Sequence, residues 1–252
     1  MSGVAAKSVL ITGGGSGLGE ATARWLAGRG ARVTISGRRS ENLNRVADEI
    51  GARCVIGDIS IAEDRARMIA DALAHGHGRL DALINNAGAM LRGPIETIDE
   101  AALIDLFHTN VVGAMMMTGL AVPHLQRVQG SVVFVGSAHT RRAFPGAAPY
   151  AATKGAIQTL SQVLAAELGA KGIRVNCVVP GGVLTEINVR AGVMDAATAA
   201  ARYTAMRGLQ AIDQLGEGRH VAEAIAYLIC AEWTTGAILD VDGGLGLGVT
   251  RQ

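Results

Sequence analysis

Tyr150 and Lys154 are the residues whose types and spacing indicate proton transfer most directly. They lie four positions apart at the start of a predicted helix, so both side chains share one face of it. An ammonium group beside a phenol favours the phenolate and lowers the pKa of the phenol from about 10. Ser137 ends a predicted strand shortly before this helix. Its hydroxyl is expected to hydrogen-bond the substrate oxygen with which Tyr150 exchanges a proton. Together the three residues predict a general acid/base for a carbonyl or an alcohol.

Taken alone, the Tyr-Lys pair is equally typical of the start of an amphipathic helix. A glycine-rich loop after the first predicted strand supports the interpretation of the pair as part of a cofactor-dependent site. The loop reads Thr12-Gly13-Gly14-Gly15-Ser16-Gly17-Leu18-Gly19. Its glycines allow a tight turn and a close approach to a pyrophosphate, which the N-terminus of the next helix attracts. A plain glycine-rich turn is the alternative. A P-loop lysine is excluded because the chain has no Gly-Lys dipeptide, and Leu18 excludes a nucleophile elbow.

The end of the second predicted strand bears on cofactor choice. In a dinucleotide-binding βαβ unit, an acid about 20 residues past the loop binds the adenosine ribose 2′-hydroxyl, whereas an arginine accommodates a 2′-phosphate. Here the strand ends Ile35-Ser36-Gly37-Arg38-Arg39, with no acid at the turn. The sequence therefore predicts NADP(H) as the preferred cofactor, with NAD(H) as the alternative. The competing interpretation of Arg38 and Arg39 is a solvated cap on the next helix.

Short apolar runs alternate with helical patterns along the whole chain, which is typical of βαβ units in a parallel sheet covered by helices on both faces. We expect an α/β fold, a single-domain, Rossmann-like, doubly wound parallel sheet of about seven strands over residues 1–252. The predicted strands are Ser8–Thr12, Arg32–Ser36, Arg53–Gly57, Leu80–Asn85, Ser131–Val135, Arg174–Val179 and Ala237–Val241. The predicted helices are Gly17–Arg29, Glu41–Ile50, Ala62–Ala74, Glu100–Phe107, Val111–Val128, Tyr150–Ala170 and Arg219–Ala231.

Composition narrows the class of protein. A formal net charge of +1 gives no clustered excess of Lys and Arg, so no nucleic-acid partner is expected. The three cysteines, Cys54, Cys177 and Cys230, lack metal-ligand spacing and are interpreted as buried free thiols, and no metal is expected. The longest apolar stretch, Val111–Leu125, is shorter than the roughly 20 residues that span a bilayer. With no secretory signal visible at the start, we expect a cytoplasmic protein without a membrane partner.

These motifs, in this order, resemble the short-chain dehydrogenase/reductase family over essentially the whole chain. The resemblance includes members that act as 3-oxoacyl-carrier-protein reductases. One departure from the family pattern is a slightly short stretch between Leu228 and Thr235, far from the motifs. The matching segments are the glycine loop, Asp58 after the third strand, Asn85-Asn86-Ala87-Gly88, Asn110, Ser137, Tyr150, Lys154, Pro180-Gly181 with Thr185, and Asp242-Gly243-Gly244.

The resemblance implies a role for each of four catalytic positions. Tyr150 is the general acid in reduction, and Lys154 lowers its pKa and holds the nicotinamide ribose. Ser137 orients the substrate oxygen, and Asn110 holds a water in a proton relay to Lys154. Ser16 stands where many NADP-preferring relatives have a basic residue. The implied cofactor-binding set is Thr12, Gly13, Gly15, Ser16, Gly17, Leu18, Gly19, Arg38, Arg39, Asp58, Ile59, Asn85, Ala87, Gly88, Tyr150, Lys154, Pro180, Gly181, Val183 and Thr185.

Substrate recognition is expected from a small set of residues and from one segment. The segment Glu186–Asp213 is Ala-rich, is interpreted as irregular, and is the predicted substrate lid. Arg141 and Arg142 are interpreted as solvated loop residues or as contacts for an anionic substrate. The predicted substrate pocket comprises Met90, Leu91, His139, Phe144 and Gly182.

The leading functional hypothesis is an NADP(H)-dependent oxidoreductase that interconverts a small-molecule carbonyl and a secondary alcohol, with 3-oxoacyl thioesters as one candidate substrate class. The alternatives are an NAD-dependent sugar, polyol or steroid alcohol dehydrogenase of the same fold, and a non-catalytic cofactor-sensing protein. The intact set of four catalytic positions argues against the sensor. The apolar helices Val111–Val128 and Tyr150–Ala170 predict a homotetramer, with a dimer next.

Overall fold

A computed structural model describes residues 3–183, 185, 187–190, 192 and 195–249 of the chain. Its centre is one parallel sheet of seven strands in the order β3-β2-β1-β4-β5-β6-β7. This confirms the predicted doubly wound fold, because the order reverses between β1 and β4. The strands are β1 Ser8–Thr12, β2 Arg32–Gly37, β3 Arg53–Ile56, β4 Ala82–Asn85, β5 Ser131–Val135, β6 Arg174–Pro180 and β7 Ile238–Val241.

Helices cover both faces of the sheet, as an all-parallel sheet requires. Met68, Met117 and Ile157 pack on one face, and Leu26 and Ile225 pack on the other, each group in its own hydrophobic cluster. The α-helices of the described residues are α1 Gly17–Ala27, α2 Ser40–Ile50, α3 Ala62–His75, α4 Glu100–Phe107, α5 Gly113–Gln126, α6 Ala148–Gly169, α7 Ile187–Arg190, α8 Ala196–Ala205 and α9 Gly218–Cys230.

Two expectations about local structure need correction. The sequence predicts separate helices before and after Asn110, but a π-helical turn over His108–Val112 joins α4 to α5 in one continuous run. The predicted lid is not irregular where it is described, because α7, α8 and a 3₁₀ turn over Met206–Leu209 occupy most of it. Four residues of that lid, Glu186, Ala191, Val193 and Met194, lie outside the described residues.

The thiols also differ in part from expectation. All three cysteines are free, but only Cys177 is buried, whereas Cys54 and Cys230 are partly exposed.

The continuous helical run Glu100–Gln126 is, within the described ranges, the one helix long and apolar enough by composition to cross a membrane. Core helices of α/β proteins share these properties, and Met117 and Leu125 of this run are fully buried against the sheet. Its outer side leaves Ile104 and Met116 exposed. We therefore interpret the run as a covering helix of the sheet with an apolar outer face.

Candidate active site

A cavity of about 560 Å³ opens at the carboxyl ends of the strands, beside the point where the strand order reverses. Open α/β sheets bind ligands at this position. Three of the four predicted catalytic residues, Ser137, Tyr150 and Lys154, line it. Most of the predicted cofactor-binding residues line it as well: Thr12, Gly13, Gly15, Ser16, Gly17, Leu18, Arg38, Arg39, Asp58, Ile59, Ala87, Gly88, Pro180, Gly181, Val183 and Thr185.

The glycine loop forms one wall of the cavity. Its backbone passes so close to neighbouring backbone atoms that side chains at Gly13 and Gly19 would collide with them. Gly13 has a φ of +69°, and a Cβ on it would lie 2.9 Å from the Cα of Ala87. A Cβ on Gly19 would lie 2.3 Å from the carbonyl oxygen of Gly13, so Gly19 supports the loop from behind and does not face the cavity. The N-terminus of α1 opens into the cavity at Gly17 and Leu18, where a helix offers N–H groups to an anion.

The loop after β4 is fastened to the glycine loop by side chains. The Thr12 hydroxyl oxygen accepts from the backbone N–H groups of Asn86, at 3.1 Å, and Ala87, at 3.0 Å. The Asn86 amide donates to the carbonyl oxygens of Thr12 and Gly13. Asn85 points away instead, since its amide donates to the buried Thr118 hydroxyl at 2.9 Å. Asn85 thus anchors the end of β4 and does not line the cavity.

The end of the cavity next to β2 and β3 carries two arginines and an acid. The Nη1 atom of Arg38 lies 3.4 Å from an Asp58 carboxylate oxygen, and Arg39 donates to the Ser16 hydroxyl at 2.7 Å. Burial disfavours ionisation of Asp58, but hydrogen bonds from Ser60 and the charge of Arg38 outweigh it and hold the pKa of this carboxyl below its usual range. The Arg38 side chain is 70% exposed, so its guanidinium is accessible to a ligand.

This architecture fits a nicotinamide dinucleotide. A glycine wall with positive backbone angles and an open helix N-terminus suit a pyrophosphate. Arg38, Arg39 and Asp58 lie at one end of the same cavity, and Tyr150 and Lys154 lie at the other. At the latter end, Asp242 supports the turn after β6: a Cβ on Gly181 would lie 2.5 Å from the Cα of Asp242.

A directed chain of hydrogen bonds leads to Ser137. Arg92 approaches the Nε2 atom of His139 at 3.0 Å, and the His139 Nδ1 atom lies 3.0 Å from the Ser137 hydroxyl. A guanidinium only donates, so His139 must accept at Nε2 and donate from Nδ1. Burial lowers the pKa of His139 to about 4, as do the charges of Arg92 and Arg202, which agrees with a neutral ring. Ser137 therefore accepts from His139 and keeps its own proton for a substrate oxygen or Tyr150.

Burial is the largest influence on the pKa of both Tyr150 and Lys154. It raises the pKa of Tyr150 to about 12, against the opposing effects of the Ser137 hydroxyl and the Arg92 charge. It lowers the pKa of Lys154 to about 8. The Lys154 ammonium donates to the carbonyl oxygen of Val135 at 2.8 Å and lies 5.6 Å from the centre of the Tyr150 ring.

Asn110 lies behind the cavity wall in the π-helical turn. Its amide donates to the Ala89 carbonyl and the Thr153 hydroxyl, both at 3.0 Å, and its oxygen accepts from the Ala89 N–H at 2.7 Å. Gly88 separates it from the lysine: a Cβ on Gly88 would lie 3.3 Å from the Asn110 oxygen and 3.7 Å from the Lys154 nitrogen. The space between amide and ammonium therefore depends on glycine at this position.

Four of the five predicted substrate-pocket residues, Met90, His139, Phe144 and Gly182, line the cavity, whereas Leu91 does not. The His139 ring lies 4.7 Å from the Phe144 ring and 5.2 Å from the Tyr150 ring, between centroids.

Arg141 and Arg142 are engaged elsewhere, because Arg141 pairs with Asp240 and Arg142 donates to two backbone carbonyls. Sequence reasoning missed Arg92, and it named Arg202 and Met206 only as part of the predicted lid, because their places depend on how distant segments pack.

Comparison with known proteins gives independent findings. A family model described as short chain dehydrogenase matches residues 7–196. The chain is 34% identical to glucose 1-dehydrogenase of Gluconobacter oxydans, over 96% of this chain and 93% of that protein. It is 32% identical to L-fucose dehydrogenase of the rabbit, Oryctolagus cuniculus, over 97% of this chain and 86% of that protein.

A solved structure extends the similarity to three dimensions. The 3-ketoacyl-(acyl-carrier-protein) reductase of Brucella melitensis, complexed with NADH, superposes with a TM-score of 0.86 at 31% sequence identity. The superposition covers 96% of this chain and 99% of that one.

Proposed function

Since the chain belongs to the short-chain dehydrogenase/reductase family, we propose that it interconverts a carbonyl and a secondary alcohol by hydride transfer with NADP(H). That it is an NAD(P)-dependent oxidoreductase follows from the family. The observation that carries the finer proposal is the grouping of Ser137, Tyr150 and Lys154 at one end of a cavity whose other end holds the glycine loop and Arg38.

The residues of the site have distinct tasks in the proposed reaction. The bound nicotinamide supplies or accepts the hydride. In reduction, Tyr150 donates its proton to the substrate oxygen, and in oxidation it takes that proton back. Ser137, held by His139, donates a hydrogen bond to the same oxygen. Lys154 carries a positive charge beside the phenol, which favours the phenolate left after proton donation.

Asn110 and Lys154 complete the proton supply. The open space at Gly88 joins the Asn110 side-chain oxygen to the Lys154 ammonium, and a water held there would carry protons toward the tyrosine. Asn110 suits this role because Ala89 and Thr153 fix its orientation through three hydrogen bonds. Lys154 would also hold the nicotinamide ribose, as the family resemblance implies.

We propose NADP(H) as the preferred cofactor because β2 ends without an acid and with two arginines that line the cavity. A carboxylate at this turn would repel a 2′-phosphate, whereas arginine binds phosphate through charge-assisted, bidentate hydrogen bonds. The segment 186–213 is the proposed lid, since its residues Ile187 and Met206 line the cavity.

A second candidate is oxidation of a sugar or polyol, which the names of two relatives favour: glucose 1-dehydrogenase and L-fucose dehydrogenase. A third is reduction of a 3-oxoacyl thioester, by likeness to the 3-ketoacyl-(acyl-carrier-protein) reductase structure. All three use the same proton-transfer residues and differ in what binds next to His139 and Phe144.

A panel of carbonyls and alcohols, including sugars, polyols and a 3-oxoacyl thioester, tests the proposal when nicotinamide absorbance is followed with both cofactors. We expect turnover of at least one carbonyl-alcohol pair, faster with the phosphorylated cofactor. A purified protein that binds NADPH but transfers no hydride to or from any member of the panel would support the cofactor-sensing alternative.

A further inference from the structure

A second cavity of about 240 Å³ adjoins the substrate end of the first. The two cavities share the lining residues His139, Phe144, Val183, Thr185 and Met206, so the smaller one continues the larger one past the proton-transfer residues. The remaining lining residues are uncharged except Arg92, from the loop after β4, and Arg202, from α8.

Arg92 is a partly buried cation that lacks a carboxylate within the described part of the chain. Its one hydrogen-bond partner there is the neutral ring of His139, and its buried Nε–H has no partner. Burial lowers the pKa of Arg92, and the charge of Arg202 lowers it further. A buried donor without a partner is costly unless a ligand satisfies it.

Arg202 is an exposed cation on α8, and it too has no ion pair or hydrogen bond from its guanidinium to a described residue. Its neighbour Arg207 differs, because it pairs with Asp213 at 2.5 Å. Arg202 lines the same cavity as Arg92 and His139, and its charge acts on both of them. No carboxylate lines this cavity among the described residues. Two guanidiniums that line one cavity without a counter-charge there offer the planar donor groups that bind carboxylate or phosphate.

We propose that Arg92 and Arg202 form a subsite for an anionic group, a carboxylate or a phosphate, carried by the carbonyl substrate. This proposal rests on the proposed function and names its substrate class. Only the imidazole ring of His139 separates Arg92 from the Ser137 hydroxyl. The reacting carbon and the charged group are therefore joined by only a few bonds, as in a short oxo acid or a phosphorylated ketose.

Arg202→Gln is the sharper variant, since Arg202 is exposed and makes no contact on which folding depends, whereas Arg92 also holds His139. Arg127→Gln is the matched control, because it removes one exposed positive charge at the end of α5, and Arg127 lines neither cavity. Two probe pairs differ mainly in charge: 4-oxopentanoate with its methyl ester, and dihydroxyacetone phosphate with dihydroxyacetone. NADPH oxidation gives kcat and KM for each, and calorimetry gives the affinity of each probe for the NADP⁺-saturated protein.

We expect the charged member of at least one pair to be bound and reduced better than the neutral one. Arg202→Gln should lower that preference about tenfold or more through KM, on the scale of a lost charged hydrogen bond, and Arg127→Gln should leave it unchanged. The pair that responds distinguishes carboxylate from phosphate.

The experiment can overturn the anionic subsite and the proposed oxidoreductase function separately. Reduction of neutral probes without any charge preference, or a preference that Arg202→Gln leaves intact, overturns the anionic subsite while the oxidoreductase function stands. Binding of an anionic probe that depends on Arg202, without reduction of any carbonyl, supports the subsite and counts against the proposed reaction. Equal affinity for charged and neutral probes in the calorimeter overturns the subsite even if no probe is reduced.

Discussion

The ammonium nitrogen of Lys154 lies 2.8 Å from the carbonyl oxygen of Val135, and that carbonyl is its one hydrogen-bond acceptor among the described residues. The residue is 5% exposed, and no carboxylate is among the groups that act on its charge. Burial accordingly lowers the pKa of Lys154 to about 8 from 10.5. A buried cation without an acid weakens a fold, and such costs are typical of functional sites.

The first prediction concerns Lys154→Met, which replaces the cation by an apolar chain of similar length. Below pH 8 the lysine is protonated in the folded and the unfolded chain, so its full burial cost is present. Between pH 8 and pH 10.5 the folded chain loses the proton first, and the wild type gains stability relative to the variant. We expect a relative gain of about 2 kcal/mol from pH 7 to pH 10 in urea unfolding.

Lys171→Met is the control, because Lys171 is exposed at the end of α6 and its replacement should give the same stability difference at both pH values. A Lys154→Met difference that stays constant between pH 7 and pH 10 would show that this lysine is charged throughout and that its burial costs less than the structure implies.

The second prediction is that Tyr150→Phe removes the transferable proton and keeps the ring. Turnover should fall by at least about a hundredfold, the lower range for loss of a general acid/base, while NADPH affinity changes little. Steady-state kinetics and fluorescence titration measure the two. Tyr227→Phe on α9 is the matched control, since that ring is half-exposed and lines neither cavity. Near-normal turnover in Tyr150→Phe would make the proton-transfer assignment wrong.

The third prediction is that Gly88→Ala closes the space between Asn110 and Lys154. The added methyl would lie 3.3 Å from the Asn110 oxygen and 3.7 Å from the Lys154 nitrogen, so it would fill the position of the proposed bridging water. We expect kcat to fall about tenfold or more, because proton supply to Tyr150 is impaired. The solvent isotope effect on kcat should rise as proton transfer becomes slower than the other steps.

Gly155→Ala provides the comparison for this variant. Gly155 follows Lys154 in α6, and a Cβ there meets nothing within 4 Å, so alanine should be tolerated or stabilising. If Gly88→Ala and Gly155→Ala have the same kcat and isotope effect, no proton passes through the space at Gly88.

The sequence predicts the framework well where a local signal is strong. Ser131–Val135 has the predicted bounds of β5, since the four apolar residues after the buried Ser131 form an uninterrupted run and glycines flank the strand on both sides. The interpretation of 186–213 as irregular is wrong although a signal for α8 is present. Asp195 caps that helix by accepting from the Thr198 N–H at 2.7 Å, and alanine is the strongest helix former.

Other features depend on contacts between distant segments. The π-helical turn places Asn110 against Ala89 and Thr153, which a one-dimensional pattern does not encode. The approach of Arg92 to His139 joins two loops that are 47 residues apart. The sequence therefore identifies the expected proton-transfer residues but not the arginines beside them.

The fourth prediction is a closed homotetramer, with a dimer next. The outer faces of α4, α5 and α6 leave large apolar residues exposed, among them Ile104, Met116, Leu120 and Val163. Such exposed apolar surface on covering helices is typical of a subunit interface. Light scattering at micromolar concentration should give about four times the chain mass of 25.9 kDa. A monomeric mass would contradict this prediction.

The last prediction concerns cofactor choice and the arginine pair at the end of β2. Arg38 is 70% exposed and lies near Asp58, so a 2′-phosphate would compete with that carboxylate for its guanidinium. Arg38→Asp places a second acid beside Asp58 and supplies the acceptor that a free 2′-hydroxyl prefers.

We expect Arg38→Asp to weaken NADPH binding by about 2 kcal/mol or more, the scale of breaking a charged hydrogen-bonded pair, while NADH binding weakens less or improves. Arg38→Gln separates loss of the cation from addition of an acid, because it does only the former. Its affinity for NADPH should lie between those of the wild type and Arg38→Asp. Arg53→Asp controls for the change in net charge, since Arg53 pairs with Asp71 away from the cavity. Fluorescence titration of all four proteins with NADPH and NADH measures the affinities. Equal or tighter binding of NADH by the wild type would refute the preference for the phosphorylated cofactor and assign Arg38 and Arg39 to capping α2.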